Sequence, residues 1–236
     1  MPRPASAKHT PVVLRALGHV DYHESWRAMR EFTDARTAST PDEIWLLEHP
    51  PVYTMGLKGR DGTARALQGI PIVYTDRGGD ITYHGLGQIV AYVLMDLRRR
   101  GWGIKTLVQA LESAAIELLA SHGIHGERRA GAPGVYVAGK KIAALGLRVR
   151  QGRTYHGLAL NVDMDLTPFS RIDPCGYPEL QATQLVDLGI AAGLSETRKA
   201  LAGLLARHLG YNDVTQVYSP IRPELATHAA RAILPE

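Results

Sequence analysis

The chain has a single cysteine, Cys175, and no other residue in it has as much chemistry open to it. It stands in Asp173-Pro174-Cys175-Gly176-Tyr177-Pro178, a turn-forming context rather than a core strand or helix. A thiolate attacks ester and thioester carbonyls well. An unperturbed thiol, with a pKa of about 8.5, is ionised to only a few per cent at neutral pH, so a base or a cation must stand beside it. The candidates are His84, His156 and the adjacent Lys140 and Lys141. Lys141 opens the otherwise apolar run Lys141-Ile142-Ala143-Ala144-Leu145-Gly146, where a part-buried ammonium could favour a thiolate by charge and then accept or return a proton. Two plainer readings stay open on the residues alone. A lone cysteine is commonly an inert buried one, and Gly-Lys-Lys is commonly a solvated turn.

A second concentration of chemistry lies in residues 77–92. There Arg77-Gly78-Gly79-Asp80-Ile81-Thr82-Tyr83-His84 is followed by Gly85-Leu86-Gly87-Gln88 and an apolar run. Glycine inside a strand pattern marks a bulge or a place where a ligand or another backbone comes very close. Read one way, this is a binding wall with backbone donors bare towards a ligand. Read the other way, it is a Gly-rich hairpin loop. His84 and His156 each stand third in a Thr-Tyr-His-Gly tetrapeptide, which suits opposite walls of one cleft. The histidines are scattered and give a metal site weak support, and one cysteine cannot supply a thiolate zinc cluster, so no metal is expected.

These residues need elements to hold them. Strands are expected over 11–17, 43–48, 71–75 and 88–94, the last two flanking the Gly-rich segment. Asp21 can cap a helix running to about Thr37, with Trp26, Met29, Arg30 and Phe32 on one partly buried face. Residues 104–121 are the clearest helix. Leu107, Leu111, Ala114, Ala115, Leu118 and Leu119 recur at helical spacing, and Gly123 follows as a stop. Strands over 134–138, 141–150 and 154–162 are joined by hairpin signals at Gly139-Lys140 and Gln151-Gly152. Ser195 caps a last helix to about Leu209, and 214–218 returns as a strand. Hairpin-paired strands between separated helices predict an α+β fold rather than a doubly wound one. A flexible start over 1–10, one domain over 11–220 and a tail over 221–236 are expected.

With 236 residues, 45% hydrophobic and 21% charged, the composition is that of an ordinary globular protein. No apolar run approaches a membrane span, no secretory signal is read at the start, and one cysteine fits a reducing cytoplasm. The net charge of +4 allows nucleic acid or an acidic protein as partner. The basic runs, Arg98-Arg99-Arg100, Arg128-Arg129 and Arg148/Arg150/Arg153, are short and poor in interleaved aromatics. A single-strand stacking platform is therefore disfavoured, and no nucleic-acid partner is expected.

Arg77 to His84 with Gly87-Gln88 resembles the signature of the lipoyl(octanoyl) transferases, the octanoyltransferases of lipoate biosynthesis. Two further blocks agree, Lys141-Ile142-Ala143-Ala144-Leu145-Gly146 and His156-Gly157-Leu158-Ala159-Leu160-Asn161-Val162 leading to Asp173-Pro174-Cys175-Gly176. The interval between Lys141 and Cys175 matches as well, and the resemblance covers about 14–218. It implies the fold of the biotin and lipoate protein ligases, a single α+β domain with a central, mainly antiparallel mixed sheet flanked by helices. It implies an acyltransferase with a Cys175/Lys141 dyad and no cofactor. Octanoyl-acyl carrier protein would load Cys175 as a thioester. The acceptor would be the lysine of lipoyl domains, those of 2-oxoacid dehydrogenase complexes and the glycine cleavage H protein. The acyl pocket would be lined by Arg77, Gly78, Gly79, Asp80, Ile81, Thr82, Tyr83 and His84, with Ala144-Leu145-Gly146 and Gly157-Leu158-Ala159 on its other sides. The rivals are an ATP-dependent lipoate–protein ligase on the same fold, which needs no nucleophilic cysteine, and a silent module that only binds the carrier or a lipoyl domain.

Overall fold

A computed structural model describes residues 11–59, 69–172, 180–191 and 193–218. The expected flexible start, the C-terminal tail and Cys175 with its neighbours lie outside the described residues.

The first strand, β1 (Val12–His19), leads into α1 (Tyr22–Ala35), then β2 (Asp42–Glu48), β3 (Val52–Met55) and β4 (Ile72–Tyr74). β5 (Ile81–His84) and β6 (Gln88–Leu94) follow, then a short α2 (Leu97–Arg100) and the long α3 (Ile104–Ser121). β7 (Gly134–Val137), β8 (Lys140–Arg150) and β9 (Arg153–Asn161) form successive hairpins, and α4 (Leu194–His208) precedes β10 (Val214–Tyr218). Seven strands make one sheet in the order β10-β1-β2-β6-β9-β8-β7, parallel between β10, β1 and β2 and antiparallel across the rest. β4-β3-β5 form a second, smaller sheet.

Period-two alternation divides the large sheet into two faces. Ile44, Leu46, Ile89, Ala91, Val93, Leu158 and Leu160 face one way and pack with Leu107, Leu111, Ala114 and Leu118 of α3 and with Leu201 and Leu205 of α4. Trp45, Leu47, Val90, Tyr92 and Ala159 face the other way and pack with Met29 and Phe32 of α1. Arg30, expected on that α1 face, is instead exposed and stacks over the Trp26 ring. The carboxylate of Asp21 accepts the Glu24 backbone N–H at 3.2 Å, the capping bond its type and position predict. α4 begins at Leu194 with Gly193 at its cap, so Ser195 lies inside the helix rather than capping it.

The two hairpin turns sit on Ala138-Gly139 and Gln151-Gly152, with both residues of each pair at positive φ. The first is one residue earlier than Gly139-Lys140, because Lys140 already pairs with Val137. β3 and β5, and with them the small sheet, go beyond the strands expected from sequence. Four-residue strands bounded by prolines or glycines carry too few alternations to register as a pattern. Several arginines of the basic runs have partners within the fold. Arg99 pairs with Asp42, Arg128 with Glu112, Arg150 with Asp34 and Arg153 with Asp96, while Arg100 lies over the rings of Trp102 and Tyr211.

Candidate active site

β9 and β8 put small residues in register with Val90 and Tyr92 of β6 on the sheet face opposite α3. Val90 pairs with Ala159 and Ala159 with Ala144; in the next row Tyr92 pairs with Gly157 and Gly157 with Gly146. Together these rows floor a cleft enclosing about 810 Å³, its open mouth included. The facing wall comes from Arg77, Gly79, Asp80, Ile81, Thr82 and His84. Leu145 and Leu158 also reach the lining from the floor strands, so fourteen of the residues singled out in the sequence, counting Lys141, His84 and His156, border one cavity.

Lys141 reaches this cleft because of a β-bulge. Tyr136 pairs with Lys141 but Val135 pairs with Ala143, which leaves Ile142 as an extra residue in β8. Simple alternation would set Lys141 on the face of Ala143 and Leu145, against the helices. The inserted residue moves it to the face of Ala144 and Gly146. Lys141 is 8% exposed, whereas its neighbour Lys140 is exposed. The Lys141 ammonium donates to the Pro133 carbonyl at 3.5 Å and lies 5.3 Å from the centre of the Tyr136 ring. Its backbone is held on the other side by the segment that follows residues 173–179. Lys141 N–H donates to Gln181 O at 2.8 Å, and Thr183 N–H donates to Lys141 O at 2.9 Å.

Arg77 is buried and anchors its wall. Its guanidinium donates to the Thr54 hydroxyl, the Thr54 carbonyl and the Gly78 carbonyl. The glycines nearby serve close backbone approach more than open donors. Gly78 N–H donates to Leu147 O at 2.9 Å and Gly87 N–H to the Glu48 carboxylate at 2.9 Å. A Cβ on Gly146 would come within 2.9 Å of Arg77 Cδ. The expectation of a wall of bare donors is thus corrected at Gly78 and Gly87, whose N–H groups join the wall to β8 and to β2. Gly78 and Tyr83 stand outside the cavity lining; alternation along β5 turns Tyr83 towards Tyr53 and Phe169.

Below the cleft lies a cluster of buried rings. His84 Nδ1–H donates to Gln88 Oε1 (2.7 Å), and the ring stacks on Tyr22, whose ring centre is 6.0 Å away. His49 bonds the Val20 carbonyl at 2.6 Å and the Tyr92 hydroxyl at 2.7 Å. Burial pushes the His84 imidazole down to about 3 and that of His49 to about 4, and it lowers His156 too, so all three are neutral at pH 7. Burial opposes ionisation of Asp76, but His156, Tyr155 and Trp26 facing it hold its carboxyl well below the usual carboxylate range. A polar line crosses the floor from His84 to the lysine strand: Gln88 Nε2 donates to Asn161 Oδ1 (2.9 Å), and Asn161 Nδ2 donates to Thr183 O (2.9 Å).

Sequence reasoning paired His84 with His156 correctly across one cleft, but assigned no role to Tyr22, Val90, Tyr92, Asn161, Phe169 or residues 180–182, which also line it. Val90 and Tyr92 could have been found from the period-two pattern of β6 once its inward face was known. Among the described residues, no group of three His, Cys, Asp or Glu side chains is placed to hold a metal ion, and no helix is long and apolar enough to cross a membrane.

The model of the lipoyl protein ligase A/B catalytic domain matches residues 21–203. An octanoyltransferase of Thiobacillus denitrificans is 59% identical over 196 residues, 83% of this chain and 90% of that protein. One of Aromatoleum aromaticum is 58% identical over 209 residues, 88% of this chain and 89% of its own. Among solved structures, lipoate-protein ligase A bound with ATP superposes with a TM-score of 0.75 at 16% identity, covering 94% of this chain and 93% of that one. A biotin protein ligase from Aquifex aeolicus in complex with biotin and ATP gives 0.52 at 14% identity, covering 83% and 69%. These two likenesses concern the fold, and they match the α+β architecture with its mixed central sheet.

Proposed function

The chain belongs to the lipoyl protein ligase A/B catalytic domain family, and from that membership we propose that it transfers octanoyl groups in protein lipoylation through a Cys175 thioester assisted by Lys141. The ATP-dependent ligase alternative is not favoured. Its likeness is one of fold at 16% identity, whereas the octanoyltransferases are similar at up to 59% over most of both chains.

The donor in this reading is octanoyl-acyl carrier protein. The Cys175 thiolate adds to its thioester carbonyl, the tetrahedral intermediate expels the carrier thiolate, and Lys141 returns a proton to that leaving group. A lysine amine of a lipoyl domain then attacks the acyl-enzyme. Lys141 takes up the proton that the amine loses, the C–N bond forms, and the C–S bond to Cys175 breaks. Thioester exchange is close to isoenergetic and aminolysis is downhill, so no nucleotide is required.

The observation that carries the reading is the bulge at Ile142, which turns Lys141 into the cleft. The chain around it adds support. Gln181 and Thr183 are bonded to the Lys141 backbone, Leu180 lines the cleft, and Cys175 precedes Leu180 by only a few residues. An extended chain gains at most about 3.5 Å per residue, so the short interval from Cys175 to Leu180 is compatible with a thiol at this cleft. The test is transfer from octanoyl-acyl carrier protein to a lipoyl domain with purified components and no ATP. Octanoylated domain should form, and formation only when ATP and free octanoate are supplied would assign the chain to the ligase chemistry instead.

A further inference from the structure

His156 breaks the geometry of its own strand. It lies in the middle of β9 opposite Leu147, on the register that points towards α3, yet it borders the cleft on the opposite face. Its φ of +63° accounts for this. A left-handed residue inside a strand reverses the side chain's direction, and the conformation is unfavourable enough for a residue with a Cβ that it persists only where the surroundings impose it. The surroundings of His156 do impose it. His156 is 2% exposed and its backbone N–H meets Met29 Sδ at 3.4 Å. Its Nε2 stands 3.6 Å from an Asp76 carboxylate that Trp26 Nε1 (3.0 Å) and the Tyr155 hydroxyl hold in place. Its ring meets that of Tyr92 edge-on, with centres 5.8 Å apart.

We propose that His156, braced by Asp76 and flanked by Tyr92, is the end wall that sets the length of the acyl chain; the inference rests on the octanoyl-transfer reading above. The floor rows give the distance. From Lys141 to Gly146, four ladder steps remain once the bulged residue is discounted, or roughly 13 Å at about 3.3 Å per step. An extended octanoyl chain spans about 9 Å from carbonyl to methyl, from C–C bonds of about 1.5 Å at tetrahedral angles. A chain starting at the lysine end therefore finishes about 4 Å short of the Gly146 and Gly157 row, one van der Waals contact from the Tyr92 and His156 side chains that stand there. The residues it passes, Ala144 and Ala159, are small enough to leave it a channel. The end wall is polar in composition but neutral, and each of its closest groups is turned to a protein partner: the Tyr92 hydroxyl to His49, and the His156 ring to Asp76. A terminal methyl can thus abut it without desolvating a charge.

The test uses two substitutions that should move chain length in opposite directions. His156→Gly removes the ring at a φ that glycine adopts freely, and Ala144→Val narrows the channel midway. Each protein is given an equimolar mixture of hexanoyl, octanoyl, decanoyl and dodecanoyl thioesters of N-acetylcysteamine, and the adducts are compared by intact mass. Wild type should carry mainly octanoyl. His156→Gly should raise the dodecanoyl-to-octanoyl ratio at least ten-fold, given roughly four-fold per methylene newly buried. Ala144→Val should shift the profile towards hexanoyl. Octanoyl adducts with an unchanged chain-length profile in either variant would overturn the end wall. Wild type that accepts no acyl group from any donor would overturn the function itself, and the end wall with it.

Discussion

Acidification from about pH 7 to about pH 5 should destabilise this protein steeply, and the cause is the neutral ring cluster beneath the cleft. Burial holds His84 down to about 3 and His49 down to about 4, against 6.5 for an exposed imidazole. Between those values and 6.5 the unfolded chain binds protons that the folded chain refuses, so stability falls as pH falls. At about pH 5 each of the two contributes a loss of about 2 kcal/mol relative to about pH 7, some 4 kcal/mol together. His156, lowered by burial as well, acts with the same sign. Against a total stability of about 5–15 kcal/mol, that is a large share. Urea unfolding at the two pH values measures it directly. His84→Gln, which does not titrate, should remove about half of the pH-dependent loss. An unfolding midpoint that does not move between the two pH values would refute the assignment of buried, neutral histidines.

Lys141→Ala should cut transfer by orders of magnitude while Lys140→Ala does little, because only Lys141 borders the cleft; equal losses, read as single-turnover rates, would count against the dyad. Lys141→Arg should fail too, since a guanidinium does not shed a proton at workable pH. Gly157→Ala should cost more than about 2 kcal/mol in thermal or urea unfolding, because its Cβ would sit 2.0 Å from Ala91 O on the seam between β6 and β9. Gly203→Ala in α4 meets nothing within 4 Å and should stabilise by about 0.5–1 kcal/mol. Acylation from an acidic carrier protein should slow several-fold as salt rises, while a small octanoyl thioester stays nearly indifferent. Arg148, 4.0 Å from Asp76 and partly exposed beside the cleft, is the cation whose reversal to Glu should lower the carrier-dependent rate.

Sequence made the large elements legible wherever a period was long enough to read. α3 runs over the residues its leucine spacing marks, β6 over its apolar run, and the Asp21 cap forms the bond its position predicts. What stayed illegible depends on single backbone irregularities. Nothing in Lys141-Ile142-Ala143 announces a bulge, yet without it Lys141 would point towards the helices. Nothing in Thr-Tyr-His-Gly distinguishes His84, on a regular strand, from His156, at positive φ. The Gly-rich segment was legible as a site of close approach, but two of its glycines approach β8 and β2 rather than leaving donors open. The short arginine runs read as possible partner surfaces because a sequence does not display the carboxylates that pair with them across the fold.

The central claim is that the octanoyl group passes through Cys175. Intact-protein mass spectrometry after incubation with octanoyl-acyl carrier protein, followed by peptide mapping, tests it most directly. Wild type should gain one octanoyl group, mapped to the peptide containing Cys175, and should lose it when a lipoyl domain is added. Cys175→Ala should gain none and transfer none. An octanoyl adduct that survives in Cys175→Ala, or transfer at the wild-type rate by that variant, would contradict the account.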